Sequence, residues 1–354
     1  MKSLALLLSV LQATSGFPHG PGETTSSSPA IAPNASTTLN SPVPEGVFLE
    51  KHLSMQDTPK TPGAKMIKTR TGPFNLKSME MVSSTPRLRV DMPCTDCYLT
   101  AMEAGLELED GTSVNIDSGA WLHHMVLYIM GPGHSDLTCP LNWPERIYAA
   151  GNERTTARLN EKEPLGIKVG KSDRLAMIYD LVNNAMEDRT FYVTMMFEYV
   201  PSTSPEFAAH KPAKCLWLDI TNCGDSEEVA PPTPTFTLES QPYSMARGGR
   251  FINGYGHVHD AGQKVSITVN NDIVCDSAQL YGREAGFIES REGENPGMAH
   301  VSDAGTCREY GGWKAGDKLS VKTFYDSRTT PLNKMHDGSV QEVMGIAINY
   351  VVEE

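Results

Sequence analysis

Apolar and polar positions alternate with a period of two along much of the chain. "KVSITVN" (264–270) sets Val265, Ile267 and Val269 against Ser266 and Thr268. "KLSVKTFYD" (318–326) repeats the pattern with Leu319, Val321, Thr323 and Tyr325. Successive strand side chains leave opposite faces, so this is the signature of half-buried β-strands. "FYVTMMFEYV" (191–200) and "VMGIAINYVV" (343–352) are β-branched and aromatic runs of strand length. Thirty glycines and 24 prolines punctuate these runs, and neither a long helical period nor a repeat of fixed length interrupts them. The pattern predicts an all-β protein of two β-sandwich domains, at 80–200 and 212–354.

Other stretches lack such periodicity. Residues 17–63 are rich in Pro, Ser, Thr and Gly, which predicts a flexible leader ahead of the first domain, over 17–79. "EEVAPPTPTF" (227–236) is a second Pro-rich break, an inter-domain connection or a long loop. The chain opens with Lys2, the apolar run Leu4–Leu11 and small residues after it. That is the layout of a secretory signal peptide over 1–16, cut near Ser15 or Gly16. No other segment approaches the length of a membrane span, so a secreted protein is expected. Asn34-Ala35-Ser36 is an N-glycosylation sequon in the leader.

Charge and cysteine content narrow the function classes. Asp and Glu number 43 against 30 Lys and Arg, a formal charge of −13. No basic stripe is present, so no nucleic-acid partner is expected. The seven cysteines are Cys94, Cys97, Cys139, Cys215, Cys223, Cys275 and Cys307. In a secreted chain disulfides are the default, and the odd number leaves one thiol free or paired with another chain. Cys94-x-x-Cys97 has zinc or redox spacing but lacks the second pair or βαβ context those sites need. Nothing in the sequence fixes an oligomeric state.

The candidate chemistry lies in histidines. In "WLHHMVLYIM" (121–130) His123 and His124 stand at the mouth of an apolar run. On a regular strand they would face opposite ways, so they converge only where the strand starts irregularly or bulges. In "GYGHVHDAG" His257 and His259 are two apart and leave an extended backbone from one face, as two nitrogen ligands to one metal would. Two surface histidines beside a turn would read the same way. Met344 shares strand parity with Ile346, Ile348 and Tyr350, which makes it a core residue. Beside two imidazoles its thioether would favour copper, Cu(I) above all. His300 and His336 read as surface or hydrogen-bonding histidines. A copper chelate at a mature amino terminus is disfavoured, because Pro18 ahead of His19 has no amide proton to lose. A histidine-first polysaccharide monooxygenase is excluded by the same expected cut. No Gly-x-Ser-x-Gly elbow occurs, and "RGGRFINGYG" lacks the strand–helix context of a phosphate loop.

The order His-His-Met, His-x-His, then a late Met on a strand resembles the copper type II, ascorbate-dependent monooxygenases, such as the peptidylglycine and dopamine enzymes. "EDGTSVNIDSGAWLHHMVLYIM" and "YDSRTTPLNKMHDGSVQEVMGIAINY" resemble that family's segments around the first His pair and the methionine ligand. "VDMPCTDCYLTAMEAGLELEDG", "WLHHMVLY" and "GNERT" resemble the secreted stress-up-regulated nodulin-like proteins of plants and fungi. The resemblance spans residues 80–354 and implies two jelly-roll-like domains, each holding a copper across a solvent-filled cleft. It implies that His257, His259 and Met344 hold the oxygen-activating copper. His123 and His124 would be two of three ligands to an electron-transferring copper, with ascorbate as reductant. One copper is expected, and two if the His-His site also fills.

The chain departs from that pattern in two places. Where the family has its third histidine, "RLAMIYDLVNN" offers only Tyr179, and His134 or His210 would have to substitute from loops. The places that hold a peptide carboxylate in the family are Tyr255, Ile346 and Ile348 here, so peptide amidation is not expected. The implied function is a secreted copper-dependent oxidoreductase of monooxygenase type, acting on a C–H bond of a small organic substrate. The alternative is a non-catalytic secreted metal-binding or accessory protein on the same scaffold.

Overall fold

The alternating segments form strands throughout the computed structural model, which describes residues 40–293, 296–334 and 338–354. The expected signal peptide, His19, the Asn34 sequon and His336 lie outside those residues. Among the described residues the helical content is limited to short 3-10 turns such as Ile116–Ser118 and Pro205–Ala209. The fold is all-β, as the period-two pattern predicts. Among the described residues no helix is long and apolar enough to cross a membrane.

Three of the four sheets among the described residues are stacked into layers; the fourth is the short pair Glu227–Glu228 and Val343–Met344. A four-stranded antiparallel sheet runs Met81–Val90, Arg174–Asn183, Ala120–Met130, Glu145–Ala150. A six-stranded sheet includes Lys318–Asp326, Gly262–Val269 and Asp272–Tyr281 as neighbours. Both pack on a ten-stranded sheet whose path passes from Cys97–Leu108 through Leu165–Val169 and Lys211–Asp219 to Ile346–Glu353 and Gly249–His257.

The strand Ile346–Glu353 shows why the large sheet serves both halves. Ile346, Ile348 and Tyr350 enter the core shared with Leu122, Met125 and Leu127. Ala347 and Val351, of opposite parity, enter the core shared with Val265, Ile267 and Val321. A strand buried on both faces reads as an unbroken apolar run rather than an alternation, which is what "VMGIAINYVV" displays. Each fully buried aliphatic side chain here contributes about 1.5–3 kcal/mol of transfer free energy.

Two expectations about organisation need revision. Lys211–Asp219, just after the expected boundary, pairs with Leu165–Val169 on one side and Ile346–Glu353 on the other. The halves therefore share one sheet, and Leu39–Glu354 form a single compact unit. The leader is also shorter than its composition suggests. Lys65–Leu76 is an edge strand paired with Arg189–Pro201, and residues 40–57 form an arm laid across both halves. In that arm Phe48 bridges to Thr306, Glu50 holds Arg308 with two charge-assisted bonds, and His52 reaches Glu103. Such partners lie 50 to 258 residues away along the chain, so local composition carries no trace of them. Disulfides join Cys94–Cys97, Cys139–Cys223 and Cys275–Cys307, and Cys215 is the buried free thiol.

Candidate metal centre

The His-His pair is made possible by a break in strand register. Leu122 pairs with Leu181 and His124 with Asp180, so His123 is an extra residue opposite nothing. This is a β-bulge. It resets parity: Leu122 ahead of it and Met125, Leu127 and Ile129 after it all enter the core. Both imidazoles are thereby left together at the strand's start, with ring centroids 3.9 Å apart.

The His-x-His pair arrives from the other half. His257 ends the strand Gly249–His257 and pairs with Ile346. His259 follows in the turn, its backbone N–H donating to the Tyr325 hydroxyl at 3.1 Å. Glycines let the layers close here. A Cβ on Gly256 would meet Val265 at 2.4 Å, and one on Gly151 would meet the His257 ring at 2.5 Å.

All four histidines line one pocket, together with Trp121, Asn152, Glu153, Asp260 and Asn333. His124 Nε2 and His259 Nε2 are 3.0 Å apart. Ring centroids are 5.0 Å apart for His124–His259, 5.1 Å for His124–His257 and 5.1 Å for His123–His259. The implied division into two centres across a cleft is therefore corrected: the rings form one cluster, because the shared sheet brings both strand ends to the same place. His123, His124 and His259 each offer a nitrogen within 4.8 Å of the others.

The hydrogen bonds around the rings show which nitrogens are free. His259 Nδ1 lies against the Glu342 carbonyl oxygen, which can only accept, so the ring carries its proton on Nδ1. His257 Nδ1 is 2.9 Å from Glu153 Oε1. Burial raises the Glu153 carboxyl, but its interaction with His257 and its backbone hydrogen bonds outweigh it and hold it below the usual range. His124 Nδ1 is 3.4 Å from Asp180 Oδ2, whose other oxygen accepts from the Ser84 N–H. Each Nε2 is then a lone pair. Burial, reinforced by neighbouring rings, drives His123 and His124 well below the ordinary histidine range and His259 to about 4. Those three rings are neutral at pH 7.

This arrangement fits a cation. The Nε2 lone pairs of His124 and His259 face each other at 3.0 Å, which is repulsive unless something positive lies between them. Two nitrogens about 2.0–2.1 Å from one ion stand roughly 2.9–3.4 Å apart at angles from square to tetrahedral. His257 Nε2 is buried with no hydrogen-bond partner, and a buried orphan of this kind calls for an unseen ligand. Imidazoles oriented through Nδ1 by carboxylate or carbonyl are the usual outer arrangement of a metal site. Imidazole nitrogens suit zinc, copper, iron or nickel alike.

A buried network supports the pocket. Asp260 accepts from His300 Nδ1 at 2.7 Å, the Val301 N–H at 2.9 Å and Asn333 Nδ2 at 2.8 Å. His300 Nε2 pairs with Ser290 Oγ at 2.7 Å. His300 is thus hydrogen-bonded as the sequence suggests, but buried rather than superficial. Trp121 lies between the rings of His123 and His300, at 4.5 and 4.9 Å. Sequence reasoning missed Glu153, Asp180, Asp260 and Gln341 as neighbours of the histidines. Glu153 lies within "GNERT" and Asp260 directly follows His259, but neither carries a local sign of its partner.

The remaining candidates fall elsewhere. Met344 packs in the apolar core with Tyr255, Ile346 and Ile348 and is not among the side chains lining the pocket. Its backbone carbonyl accepts the Tyr325 hydroxyl at 2.6 Å, one step from His259. Tyr179 packs against Phe74 inside the core, the two rings tilted with centroids 4.4 Å apart; the next residue, Asp180, is the one that faces the histidines. His134 is held by Glu145 and Asp173 at 2.9 and 2.8 Å, and His210 stacks on Tyr98. Neither joins the cluster. Tyr255, Ile346 and Ile348 are buried core residues.

No family profile matches the chain. It is 28% identical over 267 residues to a protein of Phoma sp. (strain ATCC 20986 / MF5453) named probable copper-dependent oxygenase M1, covering 75% of this chain and 66% of that protein. The match thus spans just under two thirds of that relative's length. Over 257 residues it is 28% identical to probable copper-dependent oxygenase clz3 of Cochliobolus lunatus, covering 71% of this chain and 78% of that protein. Among solved structures, the glycosylasparaginase PNGase F of Flavobacterium meningosepticum aligns over 82% of this chain and 96% of its own, at 9% identity and a TM-score of 0.34. PNGF-II aligns over 80% and 65%, at 11% identity and a TM-score of 0.36. Likenesses that low add nothing to the site.

Proposed function

We propose that this chain is a secreted copper-dependent oxygenase that oxidises a C–H bond of a small organic molecule, using O2 and an ascorbate-like reductant. The facing Nε2 atoms of His124 and His259, 3.0 Å apart with both Nδ1 atoms anchored, carry the metal assignment. Copper is chosen among the metals that imidazoles accept because both curated relatives are named probable copper-dependent oxygenases. Copper bound there would supply one-electron and O2 chemistry. The chain's residues do the rest. Glu153, Asp180 and the Glu342 carbonyl fix ring orientation, and burial keeps the rings neutral and excludes bulk water. With all four histidines in one pocket, the reading requires one copper per chain, reduced directly by the external reductant. This reading leaves Met344 out of the donor set, supported by its membership of the apolar core rather than of the pocket lining. Three disulfides and the expected signal peptide support secretion.

The test is metal analysis of the secreted full chain together with ascorbate-driven O2 uptake. One copper per chain, with content and uptake both abolished by His259→Ala, is expected. A chain that takes up no copper, or a variant that matches the parent in both readouts, rejects the proposal. Stoichiometric copper without any O2 uptake would assign the second reading, a metal-binding protein without catalysis. The buried Tyr255, Ile346 and Ile348 at the places of substrate recognition favour that alternative.

A further inference from the structure

Proximity alone groups His123, His124 and His259, but hydrogen bonding and ring spacing select a different trio. We infer that the metal ligands are His124, His257 and His259, each through Nε2, and that His123 is a positioning residue. The inference rests on the metal reading above and specifies its donor atoms.

Three observations converge. Each of His124, His257 and His259 has Nδ1 against a group that accepts a proton: Asp180, Glu153 and the Glu342 carbonyl. His123 differs. Its Nε2 is 3.0 Å from the Gln341 amide nitrogen, which donates to it, so that lone pair is already used. Its Nδ1 is then protonated and turned toward Asp180, 4.0 Å from Oδ2.

Ring spacing agrees. An imidazole bound through one nitrogen has its centre roughly 3.2 Å from the ion, from a metal–nitrogen bond of about 2.0–2.1 Å plus the half-width of the ring. Two such rings therefore stand between about 4.5 Å apart at a right angle and about 6.4 Å straight across. His124–His259 at 5.0 Å, His124–His257 at 5.1 Å and His257–His259 at 6.3 Å all fall in that window. Together they describe a T, with His124 as the stem. The 3.9 Å between His123 and His124 lies below the window and is a stacking distance. His123 thus buttresses the His124 ring from one side, with the Trp121 edge behind it at 4.5 Å.

The test uses the full chain loaded anaerobically with Cu(I), which is diamagnetic, and labelled with 15N-histidine. Three imidazoles are expected to show metal-shifted Nε2 signals with protonated Nδ1. The His123 pattern, assigned by its loss in His123→Phe, stays as in the metal-free protein. In chelator competition His123→Phe, which keeps the stacked ring, should hold Cu(I) within about 3-fold of the parent. Alanine at 124, 257 or 259 should cost more than the roughly 10–100-fold of an outer-shell change. A metal-shifted His123 nitrogen, or His257→Ala binding Cu(I) like the parent, overturns the assignment while leaving the copper reading intact. Absence of copper from the parent protein overturns both. If His123→Phe does not fold, the count of shifted imidazoles in the parent decides.

Discussion

His124 and His259 lie 135 residues apart in the chain, yet their Nε2 atoms are 3.0 Å apart with no hydrogen available to join them. The relationship makes the pair the most sensitive point of the centre. Each single alanine substitution should remove high-affinity Cu(I) binding, while relieving the repulsion in the metal-free protein. Thermal unfolding of the metal-free His259→Ala protein is therefore expected to match or exceed that of the parent, and copper should raise the midpoint of the parent alone.

Glu153 lines the pocket and holds His257 Nδ1 at 2.9 Å. Glu153→Ala frees the ring and leaves its N–H without an acceptor. Metal affinity should fall about 10–100-fold, measured by chelator competition, and Glu153→Gln should recover part of it through its carbonyl oxygen.

Met344 packs among Ile346, Ile348 and Tyr255 rather than along the pocket wall. Met344→Leu, nearly volume-conserving, should change stability by less than about 1.5 kcal/mol and leave Cu(I) affinity unchanged. X-ray absorption of the Cu(I) protein should fit nitrogen scatterers alone; a sulfur shell would return Met344 to the ligand set.

His134 sits between Glu145 and Asp173, with both ring nitrogens on carboxylates. Only the imidazolium can donate to both. Burial lowers its pKa, but the two carboxylates outweigh it, and the folded value is raised above 6.5. The Ser135 N–H also donates to Glu145, and Lys214 stands 4.0 Å from it. A raised folded pKa stabilises fully below the unfolded value near 6.5 and is lost as pH rises through the folded one. His134→Gln should thus cost about 3 kcal/mol at pH 5, with the gap from the parent narrowing at alkaline pH, read from denaturant midpoints.

Cys139–Cys223 closes a span of 84 residues and Cys275–Cys307 one of 32. On loop-closure grounds their removal should cost about 4–5 and about 3–4 kcal/mol respectively. Paired serine variants compared by urea unfolding test the order.

Much of the fold was legible because its strands alternate. The segments at 264–270 and 318–326 are strands where periodicity places them. The irregular strand start that would let His123 and His124 converge is the bulge observed between Leu122 and His124. What the chain could not display is which distant segments meet. Two separate centres are what the resemblance to the copper type II monooxygenases implies; the two histidine pairs meet instead because Lys211–Asp219 and Ile346–Glu353 are sheet neighbours. Tyr179 drew attention as the nearest replacement for a histidine. Strand parity turns it into the core and presents Asp180 instead.

Sharing one sheet between two cores sets an order of events during synthesis. Residues 346–353 lie between Lys211–Asp219 and Gly249–His257 and complete both apolar interiors. A nascent polypeptide on the ribosome can close neither interior before this segment emerges, and His257, which pairs with Ile346, has no fixed place until then. The histidine cluster is therefore assembled only once residues 346–353 have been made, and a metal ion meets it after both interiors have closed.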